Sequence, residues 1–364
     1  MKKILLSLIT CGLTLASCTS EDVVNEGPQS NAITFRNVVN KNTRSIDTGS
    51  FSQFFVYGYY TKGLDLNTRF NIFTNTPVIK STDGWSSAIS RYWVDGANYS
   101  FYAFSCENVS MSPKYGGPSI DQNDGTFRIN YTCHTDELGN SHDLVFASAT
   151  GIQGQRENNL PVPLQFKHIL SQVSLQFVSD FPEGYQVEIS NISISDFENM
   201  GTFTANKTGN SEGTWSGVRY DDTNAKSFTL NALNGHNITA SDKDAQGNML
   251  YPPVETSSCF MIPNTYDAAG GDNPVNIHFN IRLINPNLGA ANQTIASNTL
   301  IGSWHPKWRQ GTKYVYTIHL SGNEAGMDQI KFDVGVTDWN NPDTDNTPEK
   351  INISFDYVLT PNAE

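Results

Sequence analysis

Short segments in which apolar and polar residues alternate recur along most of the chain, and this pattern constrains the fold most strongly. Segments 127–131, 185–194 and 275–284 are examples, and turns rich in Gly, Asn or Asp separate them. A period of two places apolar side chains on one face of a strand, whereas a helix needs a period of 3.6. The sequence therefore predicts an all-β protein, with a helical turn expected only around 168–172.

The number and spacing of these segments predict β-sandwiches rather than alternating strands and helices. Segment 151–163 is rich in Gly, Gln, Asn and Pro and is the best boundary between two blocks. We therefore expect an N-terminal domain over 32–160 and a C-terminal domain over 161–340. Phe166 and Val173 are expected to contribute to the second core.

The composition narrows the class of protein. Only 16% of the 364 residues are charged and 11% are aromatic, which fits a β-rich extracellular protein. A net charge of −13 argues against nucleic acid or an anionic membrane surface as a partner. The seven histidines lack metal-ligand spacing, and no catalytic or phosphate-binding glycine motif occurs. We therefore predict a protein that is not an enzyme and has no metal and no cofactor.

Two local features resemble functional sites, but a structural role explains each of them better. Segment 121–125 (Asp-Gln-Asn-Asp-Gly) loosely resembles a calcium loop, yet it lacks the ligand spacing of one and is predicted to be a hairpin turn. His168 lies in an apolar segment. It is predicted to be a hydrogen-bonded residue of the core or of an interface.

The N-terminus has the features of a lipoprotein export signal. A basic pair precedes an apolar run over 4–15, which is too short to span a bilayer core of about 30 Å. The run leads into a Leu-Ala-Ser-Cys lipobox, in which Cys18 takes up the lipid. The acidic pair shortly after Cys18 resembles the surface-export signal of lipoproteins in the Bacteroides group. We expect a signal peptide over 1–17, a lipidated tether over 18–31 and a surface-exposed lipoprotein of the outer membrane.

Three cysteines remain after the N-terminal segment, namely Cys106, Cys133 and Cys259. An odd number does not make a disulfide framework. A Cys106–Cys133 bridge in an oxidising compartment and buried free thiols both stay open.

Five groups of residues stand in order along almost the whole chain after the tether. They are Ile33-Thr34-Phe35 with Thr43-Arg44-Ser45; Tyr92-Trp93 with Tyr99-Ser100-Phe101-Tyr102-Ala103; Asp143-Leu144-Val145-Phe146-Ala147; the segment 164–173 (LQFKHILSQV); and Trp308, Gly311, Tyr314 and Tyr316 ahead of Ile330-Lys331-Phe332 and Trp339. Together they resemble the fimbrillin family, the type V pilus proteins of Bacteroidales, and 166–171 is the most distinctive part. The resemblance implies two transthyretin-like Greek-key β-sandwich domains in tandem.

The resemblance also implies an assembly route. The precursor is exported as a lipoprotein, an arginine-specific protease removes the first strand, and a terminal strand of the next subunit fills the groove that this opens. In this sequence the removed strand and cleavage loop are 32–45. The inward residues of that strand are Ile33, Phe35 and Val39, and the cut falls at Arg44-Ser45.

Two other arginines compete with Arg44 as the cleavage site. Arg36 lies within the expected first strand, where a protease cannot easily extend the backbone. Arg69 lies far inside the first domain. Arg44 is therefore the preferred site.

The C-terminal segment 341–364 supplies a candidate donor strand. A linker rich in Pro and Asp precedes a stretch in which Ile351, Ile353, Phe355 and Tyr357 fall on one face. The same stretch also fits a last strand that folds back on its own domain, and both interpretations stay open.

These observations predict a structural subunit of a pilus with a role in adhesion. Its expected partners are other pilus subunits, an arginine-specific protease, the outer membrane through the lipid, and a host protein or glycan. Two alternatives remain. The first is an anchor or tip subunit, and the second is a monomeric surface lipoprotein that binds glycan or host protein.

Lipidation at Cys18 is testable because acylation needs the thiol. Cys18→Ala should give an unprocessed or soluble protein that stays outside the detergent phase and takes up no labelled palmitate. Incorporation of palmitate at the wild-type level into this variant would refute the lipobox.

Overall fold

The computed structural model describes residues 32–37, 52–63, 65–82, 84–106, 117–133, 141–154, 160–179, 181, 184–220, 227–229, 236–239, 242–243, 249–250, 254–266, 269–289, 294–320, 322–323, 326–327, 331–338 and 354–358. Of these residues, the ones that fall within 65–66, 227–255, 295 and 322–358 are described by their backbone only. No residue in these ranges is helical, which confirms the all-β prediction. Consequently, the described residues contain no helix long and apolar enough to cross a membrane.

The first ten strands lie between residues 35 and 168. They are β1 (Phe35–Asn37), β2 (Gln53–Lys62), β3 (Asp65–Ser81), β4 (Gly84–Ser87), β5 (Ala97–Cys106), β6 (Pro118–Ile120), β7 (Phe127–Thr132), β8 (Leu144–Gln153), β9 (Val162–Leu164) and β10 (Lys167–His168).

Seventeen further strands follow in the described residues. They are β11 (Ser171–Ser179), β12 (Gln186–Ser195), β13 (Met200–Ala205), β14 (Gly213–Arg219), β15 (Ser227–Thr229), β16 (His236–Thr239), β17 (Asp242–Lys243), β18 (Met249–Leu250), β19 (Val254–Glu255), β20 (Cys259–Met261), β21 (Val275–Ile284), β22 (Thr294–Trp304), β23 (Thr312–Leu320), β24 (Gly322–Asn323), β25 (Gly326–Met327), β26 (Lys331–Asp338) and β27 (Ser354–Val358).

The first sheet contains eight strands and folds back on itself. Its order is β10-β8-β5-β2-β3-β4-β1-β9, so its two outermost strands are β9 and β10. Only Gln165 and Phe166 separate these strands in the chain, and three residue steps span at most about 10 Å. The two ends of the sheet therefore lie close together, and the sheet wraps around an apolar cluster that includes Phe35, Phe101 and Phe166.

A four-stranded sheet, β14-β13-β7-β6, covers the outer face of the first sheet. Phe203 on β13 packs edge-on against Phe146 on β8 with ring centroids 5.1 Å apart, and Phe127 on β7 stacks on Tyr102 at 5.1 Å. Every residue of β5 from Phe101 to Cys106 is consequently buried, because this strand has a core on each face.

The four-stranded sheet also joins strands from both sides of the predicted boundary at 160. β7 pairs with β13 in the register Ile129↔Phe203. Ser148 on β8 and Ser211 beyond β13 exchange two hydrogen bonds, each backbone N–H donating to the other hydroxyl at 3.0 and 2.9 Å. The division of the chain into two tandem transthyretin-like domains stays a prediction.

Two further sheets form a second sandwich. One runs β19-β11-β23-β26, with β20 also paired to β11, and the other runs β15-β12-β21-β22-β27, with β16 also paired to β12. Buried and half-buried residues alternate along β23, as the sequence pattern predicts. Phe177 on β11 meets Phe279 on β21 edge-on at 5.1 Å, so the inner faces of the two sheets share one core.

The distinctive segment 164–173 is the joint between the two sandwiches. It forms β10 and the start of β11 rather than the helical turn expected around 168–172, because β10 pairs with β8 and β11 pairs with β23. Phe166 belongs to the cluster inside the first sheet, which corrects its expected place in the second core. Val173 lies in the larger cluster that includes the second sandwich.

His168 is a hydrogen-bonded core residue, as predicted. Its ring is 1% exposed, and Nδ1 lies 2.5 Å from Asp143 Oδ2. The other carboxylate oxygen of Asp143 accepts a hydrogen bond from the Leu144 N–H at 2.8 Å. Two of the segments that carry the family resemblance therefore meet at this pair.

Cys106, Cys133 and Cys259 are buried thiols that form no disulfide. Burial raises the pKa of Cys133 to about 12 and also raises the pKa of Cys259. Since the thiolate is the reactive form, these two cysteines are inert at neutral pH while the protein is folded.

The segment Asp121–Gly125 is a hairpin turn between β6 and β7, as predicted. Positively charged side chains donate hydrogen bonds to its backbone carbonyl oxygens. Arg69 donates to the carbonyls of Gln122 and Asn123 at 3.1 and 2.7 Å, and Lys207 donates to the Asp124 carbonyl at 3.0 Å. Within the described ranges, no group of three or more His, Cys, Asp or Glu residues is placed to hold a metal.

Candidate strand-exchange site

The first strand, β1, lies between two short strands of the first sheet. It is antiparallel to β4 in the register Phe35↔Trp85, and it is parallel to β9 in the registers Phe35↔Val162 and Asn37↔Leu164. We call the space that β1 fills between β4 and β9 the first-strand groove. β1 is the only described strand that connects β9 to the rest of the sheet path.

The side chains of the first strand alternate between the core and the solvent. Ile33 and Phe35 are each 3% exposed, whereas Thr34 and Arg36 are exposed. The Phe35 ring lies 5.5 Å from Phe73 and 5.6 Å from Phe101, both edge-on. A bare groove would therefore expose an aromatic core to water.

Backbone hydrogen bonds hold the N-terminal end of the strand on both sides. The Ile33 N–H donates to the Arg91 carbonyl at 2.7 Å, and the Thr34 carbonyl accepts from the Val162 N–H at 2.8 Å. These partners belong to segments on opposite sides of the groove. An empty groove would therefore leave unpaired backbone groups on both walls.

Burial of the inward side chains of the first strand contributes a free energy close to the lower end of the stability of a whole domain. Burial of a large apolar side chain contributes about 1.5–3 kcal/mol, so Ile33 and Phe35 together contribute about 3–6 kcal/mol before hydrogen bonds are counted. Whole domains are stable by about 5–15 kcal/mol. A subunit without a strand in this groove therefore strongly favours a replacement.

The two competing arginines lie in paired strands. Arg36 is in β1, where its backbone is opposite Pro163 of β9. Arg69 is in β3, its guanidinium binds the 121–125 turn, and its Cζ lies 5.7 Å from the centre of the Tyr59 ring. Proteases prefer exposed segments that are not held in such pairs. Both arginines are therefore poorer candidates for cleavage than an arginine outside a paired strand.

The last described strand, β27, pairs with β22 of the same chain. It extends the sheet β15-β12-β21-β22 at its edge, with Phe355 opposite Gly302 and Tyr357 opposite Leu300. The C-terminal stretch is thus folded back on its own second sandwich. The side chains of Phe355 and Tyr357 are not described.

Several residues of the predicted site lie outside the described residues. They are Cys18, Val39, Arg44, Ser45, Ile351 and Ile353. Their roles stay predictions.

The sequence did not predict that β4 and β9 border a groove. Segment 151–163 was expected to be a boundary, yet Val162 opens β9 and pairs with Phe35. Trp85 of β4 packs on Phe54 with ring centroids 5.0 Å apart, although no motif in the sequence marks it as part of a site. β9 is three residues long and contains a proline, so its own sequence carries little strand signal.

Truncation of Phe35 tests how tightly the groove holds the first strand. Phe35→Ala should lower the free energy of unfolding by about 3–5 kcal/mol, because it leaves a cavity among Phe54, Phe73 and Phe101. Urea denaturation of the uncut protein gives this value. Thr34→Ala, an outward change on the same strand, should change it by less than about 1 kcal/mol. Equal losses for the two variants would contradict the burial of Phe35.

Comparison with known proteins identifies the family of this chain. The family model described as fimbrillin-like matches residues 39–339, which is most of the chain. No curated protein matches it.

Several solved structures are similar to this chain. A candidate cell adhesion protein of Bacteroides uniformis has 16% identity and a TM-score of 0.44, and the match covers 86% of this chain and all of that one. One from Parabacteroides distasonis has 9% identity and a TM-score of 0.43, with 85% and 98% covered. The fimbrial anchor protein Mfa2 of Porphyromonas gingivalis has 10% identity and a TM-score of 0.33, with 83% and 96% covered. On the match to the family model, the chain belongs to the fimbrillin-like family.

Proposed function

We propose that this chain is a structural subunit of a cell-surface pilus that polymerises by exchange of its first strand. Fimbrillin-like proteins are structural and non-enzymatic, so family membership confirms that the chain is not an enzyme and supports a pilus or adhesion subunit. The observation that carries the finer proposal is the first-strand groove. A short strand near the N-terminus fills an aromatic groove and is paired on both sides.

The position of this strand suits removal by a single cut. β1 ends at Asn37, and β2 begins at Gln53. Arg44 lies between them, so cleavage at Arg44-Ser45 separates the first strand from the rest of the sheet. Since Arg36 and Arg69 are held in paired strands, Arg44 is the best site for an arginine-specific protease.

The donor in this proposal is the C-terminal stretch of another subunit. Its alternating residues Ile351, Ile353, Phe355 and Tyr357 match a groove that accepts inward side chains with a period of two. Because β27 pairs with β22 of its own chain, a donating tail must first leave that edge. Each subunit then supplies one strand and accepts one, which builds a linear polymer.

Export precedes assembly in this proposal. The lipobox at Cys18 attaches the precursor to the outer membrane through its lipid. The same cut at Arg44 that opens the groove also detaches the subunit from this lipid, because Cys18 lies N-terminal to the cut.

A tip or anchor subunit is the second candidate. The pairing of β27 with β22 favours it, since a last strand that stays in its own sheet is not available for donation. Such a subunit ends or begins a pilus rather than extending it. The tail deletion described below separates the two roles.

Cleavage at Arg44 should be required for assembly. Arg44→Ala should stay monomeric after treatment with an arginine-specific protease, whereas the wild type should form ladders on a gel and filaments by electron microscopy. Arg44→Lys keeps the charge but removes the recognised residue, so it should behave like Arg44→Ala. Polymers of Arg44→Ala at the wild-type level would refute this cleavage site.

Deletion of 351–364 tests the donor. The truncated protein should be cut normally and should accept a strand, but it should not extend a chain. Mixed with cut wild type, it should give short, capped oligomers. Deletion of 359–364 alone is the matched control, because it keeps the alternating residues and should polymerise. If the longer deletion polymerises as well as wild type, the tail is not the donor, and a tip or anchor role becomes the better explanation.

A further inference from the structure

Asn37 occupies the third inward position of the first strand. Ile33 and Phe35 point into the core and alternate with the exposed Thr34 and Arg36, so Asn37 continues the inward face. Its register partner on β9 is Leu164, which is fully buried. A polar side chain therefore stands where the pattern of the strand calls for an apolar one.

The side chain of Asn37 is half-buried, and its amide oxygen finds no donor in the groove. Asn37 Oδ1 is buried, and none of the described residues donates a hydrogen bond to it. The apolar cluster that lines the groove includes Leu164, Phe54 and Phe166, and Phe54 and Phe166 lie 5.2 Å apart by ring centroid. A buried acceptor without a donor loses its hydration and gains nothing in return.

We propose that Asn37 keeps the first strand an imperfect occupant of its groove, so that the alternating tail of a second copy of this chain binds there more tightly. This inference rests on the proposed function. Asn37 is thus a specificity-determining residue of the exchange: it lowers the affinity of the resident strand and leaves the residues of the groove walls, which the incoming strand also contacts, unchanged.

The C-terminal tail places an apolar or aromatic side chain at the position of Asn37 in either direction and in each register. Its alternating face carries Ile351, Ile353, Phe355 and Tyr357, and three consecutive residues of this face fill the positions of Ile33, Phe35 and Asn37. In the direction of β1, the residue at the position of Asn37 is Phe355 or Tyr357. In the opposite direction it is Ile353 or Ile351. Each is an apolar or aromatic side chain in place of the amide.

The inward side chains then supply the driving force of exchange. The resident and incoming strands form the same kind of backbone hydrogen bonds with β4 and β9, so these bonds do not distinguish them. Side chains at the inward positions do, and only the third position changes from polar to apolar. Before cleavage the covalent link holds the weaker strand in place, because an intramolecular strand has a high effective concentration. After cleavage this advantage is lost.

The test measures release of the resident strand from the full-length protein after cleavage. The protein is labelled at its N-terminus, cut with an arginine-specific protease and mixed with excess synthetic peptide of the sequence 351–357. Gel filtration at successive times follows the release of the labelled fragment and gives its half-time. Asn37→Leu has the same number of non-hydrogen side-chain atoms but no polar group. The cut variant should release the fragment on the order of tenfold more slowly than the cut wild type. Asn37→Asp should release it faster, because a carboxylate is harder to bury.

Thr34→Leu is the matched control, since it adds an apolar side chain on the outward face of the same strand. It should release the fragment within about twofold of the wild type. Release of Asn37→Leu at the wild-type rate, or slowing of Thr34→Leu by as much as Asn37→Leu, would overturn the inference.

A second measurement separates this inference from the proposed function. If the peptide displaces no fragment even from the wild type, strand exchange is wrong, and the urea midpoint of the uncut proteins still tests Asn37. Asn37→Leu should then unfold at a higher urea concentration than the wild type, and Thr34→Leu at an unchanged one. Equal midpoints for Asn37→Leu and the wild type would refute the defect at Asn37.

Discussion

The burial of Phe35 between β4 and β9 is the contact on which the first sheet depends. The sheet curls until its two ends are neighbours in the chain, and β1 is the strand that links the short β9 to the remaining strands. The rings of Phe73 and Phe101 lie against Phe35, so the core inside the curl is complete only while a strand is present. In the proposed strand exchange, the same geometry that stabilises one subunit provides the site for another.

Polar contacts hold the joint between the two sandwiches, whereas the groove around Phe35 is apolar. His168 and Asp143 form a buried pair, and the neighbouring carbonyls of Ile169 and Leu170 accept hydrogen bonds from the Trp215 side chain and the Gly311 N–H. Loss of one partner in such a network leaves a buried polar group unsatisfied at a cost of about 1–3 kcal/mol. At His168 the side chain itself makes the contact, whereas Ile169 and Leu170 take part through backbone carbonyls and bury their apolar side chains.

In the proposed assembly, the fold combines a hydrogen-bonded joint with a groove whose occupant is exchanged. Stability and assembly place different demands on the first strand, because a strand that fits too well would block its replacement. The buried oxygen of Asn37 is a local departure from an otherwise apolar pattern, and such departures are expected where function needs them. The pairing of β27 with β22 poses the same problem at the other end of the chain, where the proposed donor covers an edge of its own sheet.

The sequence by itself determined the elements that depend on local chemistry. Alternation predicted the strands, the Asp-Gly turn predicted the hairpin at 121–125, and the apolar surroundings of His168 predicted its burial. Tertiary structure alone decided that Val162 pairs with Phe35, that Phe166 belongs to the first core, and that β13 joins β7 across the expected boundary. The reason is physical. Every strand edge offers the same N–H and C=O groups, so pairing between distant segments depends on how side chains fit in three dimensions, which a period of two does not encode.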